Sequence, residues 1–378
     1  MPARAALLAI GFLALLPLSA AAASPAWEQW TPVAGVFDLG GPRADGTLLV
    51  AGSGALYTLT ATGSTARYAP GYKDDPGAEP YVAVSPGLQM VPKGCEFARD
   101  DTFILRLHAP LGITRVDVTG QQVSSFANVE SVAMNGIAFD TVGAFGHRLL
   151  VTGGLNGKTA LLAIDCTGGV QVITKRAPVV EGGVAVAPMA FGIFGGSLIA
   201  PDELSGVIWA IGPDGTSHPV VASGLPHGGD IGVESLAFVP PGFTRGGYLY
   251  YSDRLTPSNP HPGTDHVLRL SSVDLAAAGV QDGDLLAATE GGAAMIDVRC
   301  DTSCRVTTVV GTPTTAHGEG HLAFTINPVA SAAPSPSPQA SPAPAGNAGS
   351  AANTVIGVMA ILAVISVGAW LVLSRRRR

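Results

Sequence analysis

A unit built from short apolar runs recurs along this 378-residue chain, and it constrains the fold more than any other feature. Three runs follow one another, broken by Gly-rich turns. One copy reads Arg148-LLVTGG, then TALLAID to Asp165, then Gly169-VQVIT. Another reads DLLAATEGG from Asp284, AAMIDVRC to Cys300, then Arg305-VTTVV. Further copies start near Leu48, Phe103, Leu198 and Tyr248, which makes six triplets. A Glu followed by a short strand with a central Ala precedes most of them: Glu79-PYVAV, Glu130-SVAM, Glu181-GGVAV and Glu234-SLAF, with a last copy at Glu319-GHLAF. β-Branched and aromatic residues in the runs, with Asp-Gly or Gly-Gly between them, favour strands over helices. A strand plus a three-strand meander is one propeller blade, and a blade apolar on both faces must stack on its neighbours in a ring. The expected fold is all-β, a six-bladed β-propeller. The last Glu-strand, 319–325, has no triplet after it, and the first triplet has no clear Glu-strand before it. Pairing these two would join the chain ends in one blade and remove open sheet edges. Val273-DLAAAGV, ahead of the Asp284 copy, reads as a helical turn.

Only 13% of the residues are charged, against about 25% in an ordinary soluble domain. That excludes disorder for most of the chain, since disordered chains pair high charge with low hydrophobicity. With 49 Gly and 29 Pro a coiled coil is excluded too. The ends explain part of the deficit. Residues 1–23 read as a secretory signal: Arg4, an apolar stretch from Ala5 to Leu18, then Ala21-Ala22-Ala23 as cleavage site. Val355 to Leu373 is apolar apart from Ser366 and precedes four Arg, so 354–374 is the expected membrane helix and 375–378 its cytoplasmic tail. Between them lie the propeller ectodomain, 24–327, and an uncharged Pro/Ala/Ser-rich stalk, 328–353. The expected location is the plasma (cytoplasmic) membrane, crossed once, with the ectodomain outside. Without Arg4 and the terminal Arg cluster, 16 basic residues face 28 acidic ones. That balance argues against nucleic acid as a partner and leaves the membrane, an extracellular protein or a small molecule. All four Cys fall in the exported part, where disulfides persist. Cys300 and Cys304 fit a bridge across a turn, which leaves Cys95 with Cys166.

Inner strands line a propeller's channel, so Glu79, Glu130, Glu181, Glu234 and Glu319 are expected to gather near one mouth. Clustered carboxylates repel and call for a cation, Ca²⁺ or another divalent metal. In His317-Gly-Glu319-Gly-His321 strand alternation would turn both imidazoles and the carboxylate to one side, a set able to hold a transition metal. His227, ahead of Glu234, has a similar place in its repeat. The long loop from Arg254 adds His261, Asp265 and His266 as binding candidates.

Met134-Asn135-Gly136-Ile137-Ala138-Phe139-Asp140, followed by a turn and Leu149-Leu150-Val151, resembles a blade segment of six-bladed propellers of the gluconolactonase/senescence-marker-like group, and of the related NHL-repeat and phytase-like esterase propellers. In the gluconolactonase-like group an early Glu, an Asn in this segment and a later Asp hold a divalent metal for lactone hydrolysis. The resemblance implies Glu79 and Asn135 for the first two. The expected function is a membrane-tethered binding module. A metal-dependent lactonase- or esterase-like hydrolase is the second expectation and a quinone-dependent sugar dehydrogenase the third.

Overall fold

The computed structural model describes residues 24–327, apart from Ser131, Thr312 and Pro313. The expected signal, stalk, membrane helix and Arg tail lie outside the described residues. No helix among the described residues is long and apolar enough to cross a membrane.

Six four-stranded antiparallel sheets carry the chain. Their innermost strands are Val36–Gly40, Val82–Val84, Ala133–Phe139, Ala185–Val186, Val233–Phe238 and Gly318–Ile326, in blades 1 to 6. Contacts between successive inner strands run from blade 1 round to blade 6 and back to blade 1, so the ring closes. It is a six-bladed β-propeller. Second strands such as Leu48–Gly52 and Leu285–Thr289 are buried at every position, because blades cover both their faces. Outermost strands such as Thr65–Tyr68 and Val170–Ala177 keep mostly exposed residues.

Closure differs from the sequence expectation. The Gly318–Ile326 strand pairs with Gly247–Asp253, not with the first triplet, and Glu28–Pro32 forms the outer edge of that same sheet. Both chain ends therefore meet in blade 6, while blade 1 takes Val36–Gly40 as its inner strand. The Glu234 strand pairs with Leu285–Thr289, so the chain leaves blade 5 after one strand, builds two strands of blade 6, and returns. The return passes through the helix Ser272–Ala277, where the sequence suggested a helical turn; Ser271 caps it by accepting from the Asp274 N–H. Every strand of the ring and both disulfides lie within 28–326, and the segment closes on its own ends, so it folds as a unit.

Both disulfides join the expected cysteines. Cys95–Cys166 ties the hairpin Leu88–Met90/Cys95–Phe97 to the turn after Lys158–Ile164, and Cys300–Cys304 closes the turn between the outer strands of blade 5.

Candidate functional site: an acidic channel mouth

Inner strands start at one mouth of the channel, and the antiparallel second strands end there. The registers of three inner strands skip a residue at this end: Phe37, Asn135 and Glu234 each stand unpaired against the second strand. Such a bulge re-aims a side chain. Asn135 and Glu234 occupy matching places ahead of Gly-Ile-Ala-Phe139 and Ser-Leu-Ala-Phe238, and both line the mouth.

The mouth holds a cavity of about 480 Å³. Glu79, Glu181, Glu203, Asp230, Glu234, Glu290 and Glu319 contribute seven carboxylates to its lining, against Arg254 and His317. Arg254 pairs with Glu79 and lies 3.4 Å from Glu319 Oε1. His317 Nε2 lies 3.0 Å from Glu290 Oε1 and 3.3 Å from Glu319 Oε1. On the floor the Tyr81 hydroxyl donates to Glu234 Oε1.

Crowding shows in the protonation equilibria. Burial, then the charge of Glu319, pushes Glu234 well above the usual carboxylate range, and burial raises Glu319 as well. Burial and the neighbouring Glu290 push Glu203 up to about 7. Glu181 is raised by burial and by Glu203 and Glu79. Burial opposes charge on His317, but Glu290 and Glu319 outweigh it and hold its pKa at about 9. The raised carboxyls limit how many negative charges the mouth carries at once, and the protonated His317 offsets part of the rest.

Of the sequence candidates, Glu79, Asn135, Glu181, Glu234, His317 and Glu319 line this cavity. His321 does not. Gly320 has a φ of 70°, and the register jumps from Ser252–Glu319 to Tyr250–Ala323, so strand alternation is broken between the two imidazoles. His321 turns instead to Asp38, 2.9 Å from Nδ1, and to the Ile137 carbonyl, 2.9 Å from Nε2. Glu130 is exposed and lines a separate cavity of about 170 Å³ with Lys175. His227 is exposed and outside the mouth lining. His261 and His266 meet the Thr314 and Thr264 carbonyls, and Asp265 accepts from the Leu255 N–H; they shape the long loop, whose Leu255, Thr256, Pro257 and Asn259 reach the mouth.

Glu203, Arg254 and Glu290 escaped the sequence reading. Each is the first residue after its blade's second strand, as is Leu107, which also lines the mouth. The signal was present: in an antiparallel pair the residue after one strand sits beside the start of the other.

The metal set implied by the resemblance fits only in part. Arg254 engages the Glu79 carboxylate, placing a cation where the metal would need that ligand. Asn135, by contrast, donates its Nδ2 to the Val180 carbonyl and leaves Oδ1, the atom that would ligate a metal, without a donor.

No family model and no curated protein matches the chain. Similar solved structures include a streptogramin B lyase at 11% identity, with a TM-score of 0.44, covering 82% of this chain and 97% of that one. Another is a putative TolB from Agrobacterium tumefaciens, at 14% identity and a TM-score of 0.43, covering 78% and 91%. A gluconolactonase from Xanthomonas campestris shares 14% identity at a TM-score of 0.36, covering 60% and 69%. The blade count rests on this chain's own sheets.

Proposed function

We propose that the propeller is the extracytoplasmic binding module of a membrane-tethered protein, and that its acidic mouth receives a cationic group of a small ligand or partner protein. The observation that carries this reading is the imbalance of acidic over basic groups: seven carboxyl groups line the cavity against two basic ones, Arg254 and His317. A concave site lined by one sign of charge concentrates the opposite sign. Its volume of about 480 Å³ lies within the roughly 300–1,000 Å³ of small-molecule sites. Calorimetry on residues 24–327 tests it, with spermidine as cationic probe and succinate as anionic control. The expected result is salt-sensitive binding of spermidine alone; binding of succinate alone, or of neither, contradicts the reading.

The hydrolase reading draws on one observation, the convergence of Glu290, His317 and Glu319. Lactone or ester turnover that requires an added divalent metal would favour it. A quinone cofactor's carboxylates would meet the same acidic lining, which disfavours the dehydrogenase.

A further inference from the structure

We infer that Glu290, His317 and Glu319 form a binding site for a divalent transition metal in the wall of the acidic mouth. One ligand atom from each lies within 4.8 Å of the others, and all three residues are buried. The His317 Nε2 separations, 3.0 and 3.3 Å, match those between ligands sharing one ion. Ligands about 2.1 Å from a metal stand about 3.0 Å apart at a right angle and about 3.4 Å apart at a tetrahedral angle.

The backbone holds these ligands in place. Gly291 bridges to His317, and the Gly318 N–H donates to the Glu290 carbonyl at 2.8 Å, so the two segments are joined between the ligands. The same cavity contains orphaned acceptors: Asn135 Oδ1 and Glu203 Oε1 are buried without a donor. An ion with bound water would supply what they lack.

The donor set selects the metal class. One imidazole with two carboxylates suits Zn²⁺, Mn²⁺, Fe²⁺ or Co²⁺, whereas Ca²⁺ takes six to eight oxygens at about 2.3–2.6 Å. This site uses neither Glu79 nor Asn135 as a ligand, so it differs from the set implied by the resemblance. It stands independently of the cationic-ligand reading, because metal content is measured without any organic ligand.

The test uses the full chain, purified in detergent, stripped with a chelator, and reloaded with Zn²⁺ or Co²⁺. Metal analysis is expected to give one ion per chain, and Co²⁺ to give a visible spectrum of nitrogen and oxygen ligation. Glu290→Gln and His317→Ala should each weaken binding by about tenfold or more. Glu290→Gln is close to isosteric, and the thermal unfolding of both variants in the metal-free state separates lost ligation from lost folding. No stoichiometric metal on the wild-type chain, or unchanged affinity in a folded Glu290→Gln variant, would overturn the site.

Discussion

The Tyr81 hydroxyl donates to Glu234 Oε1 between residues 153 positions apart, whose blades, 2 and 5, face each other across the ring. His321 of blade 6 meets the Ile137 carbonyl of blade 3 in the same way, at 2.9 Å. These contacts divide the channel. On one side is the acidic mouth. On the other is a funnel lined by Leu39, Val82, Ile137, Val184 and Leu322, with His321 among its lining; the two cavities share no lining residue.

Tyr81→Phe tests the floor. The ring keeps its edge contacts with Phe37 and His321, but Glu234, 4% exposed, loses its donor. An unsatisfied buried acceptor costs about 1–3 kcal/mol, read by denaturant unfolding. A loss below about 0.5 kcal/mol would show that the contact contributes little.

Asp38 joins three blades. It accepts from the Leu39 N–H at 2.8 Å, the Val82 N–H at 2.6 Å and the His321 N–H at 2.6 Å, besides the His321 ring. His321→Ala removes the ring partner of a fully buried carboxylate that keeps its three backbone donors, and should cost about 1–3 kcal/mol. Combined with Asp38→Asn, the loss should be less than the sum of the two single losses, since both remove one interaction. Full additivity in a double-mutant cycle would contradict the pairing.

Asp297 gives a pH signature away from the mouth. Burial, then the charge of Asp284, pushes its carboxyl up to about 7. A folded-state pKa above the unfolded value of 3.8 means that its stabilising contribution is full below about pH 3.8 and lost as pH rises through 7. Asp297→Asn should therefore melt above wild type at pH 8, with the difference vanishing near pH 4. Paired thermal scans at the two pH values read this; an equal difference at both contradicts it.

The Cys95–Cys166 bridge closes a loop across a sequence separation of 71. Chain entropy puts its contribution at about 4 kcal/mol, so Cys95→Ser with Cys166→Ser should lower unfolding stability by roughly that amount. An unchanged denaturation midpoint would show that the bridge constrains little.

The repeat made the six blades legible, because each meander is local and its turns carry Gly. Pairing between distant segments was not legible. Glu234-SLAF and Glu319-GHLAF resemble each other closely enough that sequence alone could not show which would join the Tyr248 strand. The mouth was partly readable, through the Glu that begin inner strands. Asn135 and Glu234 depend on bulges, which alternation does not anticipate. His321 was misplaced because Gly320 adopts a left-handed φ inside a strand. Glu203, Arg254 and Glu290 needed the antiparallel partner of each inner strand to be considered.

The central claim is that the mouth binds through its negative charge, and spermidine affinity measured across three proteins tests it most directly. Arg254→Gln removes the guanidinium that neutralises Glu79 and approaches Glu319, so it should bind more tightly than wild type. Measured at pH 8, above the value of about 7 to which Glu203 is pushed, Glu181→Gln with Glu203→Gln removes two lining carboxyls and should bind about three- to tenfold more weakly. Equal affinity in all three, or the reverse order, would contradict the account.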